Sequence, residues 1–331
     1  MSSESGADFT FVDSERLIRY GRTALDDATR LLTERGFEDF VLLTTARAAE
    51  QAPAVVEQAA AVLNVPHGGV PEAAAEVRGQ VSGRPLVALG GGRVIDAAKA
   101  IGGADDLPVA AIPTTLSGAP ITRIHRMPAG VDQFTLVRPS LVIADPDLMA
   151  SQPMPHLAAS AMNSLAHATE SLYTPLANPV SQMAALRAAA LFASGLEDPR
   201  DPRRDDLALA ALLGSWAMGT TGYAVHHVMC QTLVRVAGTP HAETNAVILP
   251  HTVRFMAMRA PNEIERLRKA IGGDVADLAA AAGPTTLGEL GVEGPQLDDV
   301  VAAAKDRPEL GNMPGGVPAP ERLRAFLQSA L

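Results

Sequence analysis

VALGGGRVIDAAKAIGG, residues 87–103, runs from a short apolar strand through three glycines into a helix that carries Asp96 and Lys99. Glycines at this junction let a backbone approach a pyrophosphate closely. The helix behind them offers unpaired N–H groups and the positive end of its dipole. Gly91, Gly92, Arg93 and Asp96 are therefore candidate dinucleotide-binding residues, although the spacing is not the common G-x-G-x-x-G fingerprint. A second strand end, AIPTTLSG at 111–118, adds the hydroxyls of Thr114, Thr115 and Ser117 as donors for a phosphate or ribose. The plainer alternatives are a tight turn and a threonine-rich turn.

Outward from this loop, apolar runs alternate with alanine-rich helical stretches: FVLLTTA (40–46), PLVALGGG (85–92), LPVAAIPTT (107–115) and SLVIADP (140–146). That alternation reads as βαβ units on a parallel sheet. After Pro153 no convincing strand run is left. The chain becomes a series of helices broken at TPLANP, EDPRDPRR, AGTP, AAGPTT and NMPGGVPAP. The expected organisation is an α/β nucleotide-binding domain over residues 1–150 and an all-helical domain over 151–331.

Composition narrows the function classes. A 331-residue chain with 47% hydrophobic residues can fill a sizeable core. A formal charge of -10 without a basic stripe argues against nucleic acid. A single cysteine, Cys230, gives no disulfide framework, and MSSESGADF lacks the regions of a secretory signal, so a cytosolic address is expected. The longest apolar-rich stretch, 207–219, is too short to cross a bilayer.

The helical half holds a second constellation. NSLAHATESLYTPLANPV, 163–180, sets Asn163 one helical turn before His167, and further along His226, His227, His241 and His251 fall within a span of 26 residues. The stretch from His226 to His251 reads as a helix, a loop with Gly238 and Pro240, and a second helix opening at His241. A lone histidine on an apolar helix is commonly a core residue. This clustering makes a convergent polar cavity plausible, and His167, His227 and His241 by themselves remain a possible divalent-ion site without a carboxylate.

Together these stretches resemble the iron-containing alcohol dehydrogenase superfamily and, within it, the maleylacetate reductase branch. GGGRVIDAAK is similar to the family's GGGS-x-x-D-x-x-K loop and PTTLSG to its P-T-T-x-x-G segment. NSLAHATESLYTPLANPV and HHVMCQ…PHAETNAVILPH are similar to its two histidine-bearing helical motifs. The resemblance implies a dehydroquinate synthase-like architecture, an active site in the cleft between the domains, a homodimer, and NADH or NADPH as cofactor. It places Asn163 where metal-dependent members carry aspartate, ahead of histidines matching His167, His227 and His241; the maleylacetate reductase branch carries asparagine there and is thought to work without metal. Losing the carboxylate removes charge that holds a cation, so no metal is expected. Its histidines are then expected to polarise a carbonyl, with Asn163 and Gln231 holding the substrate.

Several positions depart from the family pattern. Gln231 stands where relatives carry a histidine, and Arg93 replaces the serine after the glycines. Ala119 and Pro120 replace a serine–glutamate pair, and the hairpin expected after them contains no lysine. That segment instead concentrates Arg123, His125 and Arg126, either a carboxylate or phosphate clamp or a solvated hairpin. After FVLLT come Thr45, Ala46 and Arg47, with no acidic residue for the ribose hydroxyls, which leaves NADPH open. The expected function is an NAD(P)H-dependent reductase of a small, oxygenated, carboxylated substrate. A metal-dependent alcohol dehydrogenase and a member recruited to non-redox chemistry are the alternatives.

Overall fold

The structure is a computed structural model and describes residues 9–331. The chain divides into two compact units, Met1–Gln152 and Pro153–Leu331.

The first unit is built on a seven-stranded sheet: β1 (Phe9–Asp13), β2 (Arg16–Tyr20), β3 (Val41–Thr44), β4 (Ala61–Asn64), β5 (Leu86–Gly90), β6 (Val109–Pro113) and β7 (Leu141–Ala144). Spatial order is β1-β2-β7-β6-β5-β3-β4, with β1 antiparallel to β2 and the remaining pairs parallel. Successive residues of each central strand serve opposite faces. Val41, Leu43, Leu86, Ala88, Val109 and Ala111 join one core under the helices Val70–Arg78 and Gly92–Asp105. Leu42, Val87, Leu89, Ala110, Ile112 and Ile143 join the other, against residues such as Leu31, Leu32, Ala48 and Val55. Burial on both faces is why these strands read as unbroken apolar runs.

The chain passes from β3 outward to β4, then returns to β5 and continues to β6 and β7. Strand order therefore reverses between β3 and β5, the place where open α/β sheets bind ligands at the strands' carboxyl ends. Thr45 and the glycine loop follow those two strands.

Among the described residues the second unit contains helices and no strand. Its centre is the Met154–Glu170 helix, buried without interruption from Leu157 to Glu170, which is how a helix enclosed on all sides behaves. A neighbouring helix, Arg204–Thr221, packs on it through Gly214: a Cβ there would stand 3.1 Å from the Ser164 carbonyl oxygen. That close approach brings Ser215 to His167. The Pro179–Gly195 helix starts at a capping box, with Asn178 accepting from Val180 and Ser181, as the NP break predicts. Val225–Ala237 and His241–Ala257 complete the histidine-bearing set. Among the described residues no helix is long and apolar enough to cross a membrane.

Candidate active site

In the first unit, β5 ends at Gly90 in register with Pro113 of β6, and the Thr114 N–H donates to the Gly90 carbonyl at 3.0 Å. The two loops that follow therefore lie side by side. A Cβ on Gly91 would stand 3.0 Å from Thr115 Cγ2, and one on Gly92 would stand 3.0 Å from Ser117 Oγ. The glycines thus serve this loop–loop packing as well as the open cradle. The Gly92–Asp105 helix begins without a side-chain cap, so its first-turn N–H groups are left for a ligand. Ser117 Oγ and Arg93 Nε are buried with no partner. An uncapped helix start beside two unsatisfied donors fits a pyrophosphate. Arg93 Nη1 lies 3.1 Å from His67 Nδ1, a neighbour 26 residues earlier that the sequence did not suggest.

Asp96, expected at the cofactor, is paired with Lys99 at 2.8 Å. Lys99 is fully buried and also donates to the carbonyls of Ala119 (3.1 Å) and Ile124 (2.7 Å). Burial pulls its pKa down. Lys99, paired with Asp96, therefore staples the 119–140 segment to the helix. No strand forms in that segment, so the expected hairpin is corrected to an irregular loop. Pro128 and Pro139 interrupt it, and its hydrogen bonds are scattered: Ala129 donates to the Pro71 carbonyl at 2.9 Å and the Ile121 carbonyl accepts from Arg16 Nη1 at 2.7 Å. His125 is corrected too. It is buried, accepts the Val137 N–H at Nε2 (2.9 Å), and sits with Nδ1 3.1 Å from the Arg126 carbonyl. Both ring nitrogens are committed to backbone, and burial lowers the ring's pKa. Arg123 and Arg126 are exposed, with Arg123 reaching the Leu136 carbonyl at 3.4 Å. A clamp of all three residues does not form.

In the second unit the polar residues do come together. His167 and His227 stack, with ring centroids 4.7 Å apart and an interplanar angle of 18°. His167 Nδ1 is 3.4 Å from Ser215 Oγ. His227 Nδ1–H donates to Glu170 Oε2 at 2.6 Å, and the His226 backbone N–H donates to Glu170 Oε1 at 2.8 Å. Glu170 is wholly buried, which raises its pKa, while burial pushes His226 and His227 down to about 3. His167 is held well below the usual histidine range by burial and by the other rings, His241 among them. All three enclosed rings are neutral at neutral pH. His241 is exposed at the start of its helix, and its backbone carbonyl accepts from Asn245 at 2.6 Å. Asn245 Oδ1 in turn faces His226 Nε2 at 2.9 Å.

Two atoms of this cluster stand out. Asn163 Oδ1 and His227 Nε2 are buried with no partner. With Nδ1–H committed to Glu170, Nε2 carries its lone pair. Leaving such acceptors unmatched costs about 1–3 kcal/mol each, a cost that a bound ligand donor would remove. Gln231, one turn beyond His227, is partly buried, and its carbonyl accepts from Arg307 Nη1 at 2.9 Å. Tyr223 lies with its ring 5.7 Å from that of His227.

Sequence reasoning passed over Glu170, Ser215, Tyr223, Asn245 and Arg307. Glu170 was visible as the acid three residues after His167. Arg307, 76 residues from Gln231, offered no signal.

One turn before His167 stands the neutral amide of Asn163, and among the described residues no three His, Cys, Asp or Glu side chains group together.

Comparison with known proteins gives the family. A family model described as iron-containing alcohol dehydrogenase matches residues 19–153, and one for the C-terminal part of the Fe-containing alcohol dehydrogenase family matches 157–306. Maleylacetate reductase 1 of Rhodococcus opacus is 37% identical over 238 residues, 67% of each chain. The maleylacetate reductase of Pseudomonas knackmussii is 30% identical over 311 residues, 87% of this chain and 88% of the relative. The crystal structure of maleylacetate reductase from Rhizobium sp. superposes with a TM-score of 0.83 at 28% identity, covering 98% of each chain. A sulfoacetaldehyde reductase from Bifidobacterium kashiwanohense, in complex with NAD+, shares the fold at a TM-score of 0.78 and 21% identity, over 98% of this chain and 99% of that one. The chain belongs to the iron-containing alcohol dehydrogenase family and is an oxidoreductase related to the maleylacetate reductases.

Proposed function

We propose that the protein is a metal-independent NAD(P)H-dependent reductase of the maleylacetate reductase type, acting on an activated C=C or C=O of a small carboxylated substrate. The observation that carries this reading is the buried, unpartnered pair Asn163 Oδ1 and His227 Nε2. Bound NAD(P)H supplies a hydride. Gly91, Gly92, Thr114, Thr115 and Ser117 would hold its phosphates and ribose, with the Arg93 guanidinium beside them.

The remaining chemistry is proton transfer and orientation. Glu170 fixes the His227 ring through Nδ1 and favours its charged form, in the way a carboxylate behind a catalytic imidazole does. An anionic substrate beside the ring raises its proton affinity, so that Nε2 can carry and deliver a proton. Asn163 Oδ1 then accepts from the enol or hydroxyl that forms. His167 and His241 flank this position, and none of these roles calls on a cation.

The test is loss of nicotinamide absorbance when maleylacetate is added with NADH or NADPH to protein of measured metal content, before and after chelation. Oxidation of one cofactor at an unchanged rate after chelation is the expected result. No oxidation of either cofactor overturns the reading. Loss on chelation with recovery on adding Zn²⁺ or Fe²⁺ transfers the protein to the metal-dependent alternative.

A further inference from the structure

The family's histidine one turn after His227 is Gln231 here, and the structure shows what stands around it. Arg307 reaches from a short turn at 308–312 and donates from Nη1 to Gln231 Oε1 at 2.9 Å. Its Nη2 donates to Tyr223 Oη and to Glu309 Oε1, each at 2.9 Å, and its Nε to Glu309 Oε2 at 3.2 Å. Tyr223 Oη donates to Glu309 Oε1 at 2.8 Å. Four side chains thus close on one another, with Arg307 mostly buried.

Counting donors shows where this network stays open. Of the guanidinium's N–H groups, the one on Nε, both on Nη2 and one on Nη1 are used. The second on Nη1 has no acceptor among the described residues. Gln231 Oε1 is taken by Arg307, which turns the amide so that nitrogen, a donor only, is what remains. The amide N–H groups have no acceptor among the described residues. Neighbouring N–H donors of the Gln231 amide and the Arg307 guanidinium are left over in a partly enclosed place. They lie beside a Tyr223 ring that itself lies 5.7 Å from His227. Such a fork matches the oxygens of a carboxylate.

We infer that Gln231 and Arg307 together form the docking point for a substrate carboxylate. This rests on the reductase reading of the same site and names the recognition it lacked, since His125 is withdrawn from the expected clamp at 123–126. Glu309 balances the charge of Arg307. Recognition therefore runs through directed hydrogen bonds more than through net charge, and its dependence on salt is shallow. Neither partner titrates near neutrality, so the grip on the carboxylate holds across the physiological range.

Calorimetric titration of the full-length protein with fumarate, a doubly ionised dicarboxylate probe, tests the inference. Arg307→Met is expected to weaken binding about tenfold or more, the loss typical of a charge-assisted hydrogen bond. Gln231→Glu is the second variant. It keeps an acceptor for Arg307, so the network still folds, but it replaces the free N–H by a carboxylate oxygen and is expected to lose fumarate to a similar extent. In turnover the same change raises KM and spares kcat. Absence of fumarate binding to the wild-type protein, or equal affinity in both variants, overturns the docking point. Failure of the reductase reading looks different: fumarate binds through the pair and neither NADH nor NADPH is oxidised.

Discussion

At the scale of single residues, the site is governed by burial of groups that prefer water. His226 and His227 have their proton affinity driven down to about 3 from the ordinary 6.5 because an imidazolium there would be stripped of solvent. The folded pKa lies below the unfolded one, so the contribution of each ring to stability is fully present above pH 6.5 and is lost as pH falls toward 3. Glu170 acts in the opposite sense. Its raised pKa gives stability that is lost as pH rises through that value. The expected outcome is a melting temperature that drops on acidification from about pH 6.5, measured by circular dichroism in buffers of constant ionic strength. Replacing one ring, as in His226→Gln, flattens that slope; an unchanged slope would locate the acid sensitivity elsewhere. Glu170 was within reach of sequence reading, since its spacing from His167 puts both on adjoining positions of one helix. Its partner His227 lies 57 residues away, and only folding shows that the two meet.

Among elements, the least legible was the 119–140 segment. A hairpin was expected, and an irregular loop is found: Lys99, Arg16, the acceptor His125 and scattered backbone groups hold it where a hairpin would have a facing strand. Lys99→Met removes the donor to two carbonyls and leaves Asp96 without its cation. The expected cost is on the order of 1–3 kcal/mol for acceptors left unmatched. Urea unfolding measures it, and an unchanged midpoint would show that the loop is held by other contacts. The central strands β3, β5, β6 and β7 were legible because their double-sided burial leaves continuous apolar runs. β2 was not, since Arg16 and Arg19 break the apolar pattern of RLIRY. β4 was not, because as an edge strand its residues alternate between partly buried and exposed.

For the molecule as a whole, ligand binding is the quantity that joins fold to function. A cofactor that binds only the native chain stabilises it by mass action, about 2.7 kcal/mol at a hundredfold excess over Kd. Scanning calorimetry with NADH and with NADPH is expected to raise the melting temperature with at least one of them, and the larger shift identifies the preferred nicotinamide. No shift with either would remove the nucleotide role from the glycine loop. Arg47 belongs to the same question: it follows β3, next to the sheet's point of reversal, and its side chain reaches the Ser151 carbonyl at 3.3 Å.

What the sequence determined by itself was local: a glycine turn between strand and helix, apolar runs with the period of buried strands, helices stopped at proline and glycine, and the ordered motifs that carry the family resemblance. Each depends on residues close together in the chain, where spacing alone fixes geometry. The tertiary structure decided which polar groups find partners. It joined Glu170 to His227, closed Arg307 on Gln231, tied both nitrogens of His125 to backbone, and left Asn163 Oδ1 and His227 Nε2 unmatched. Those outcomes follow from desolvation and from contacts between distant segments, and a partner 57 or 76 residues away leaves no periodic trace in the sequence.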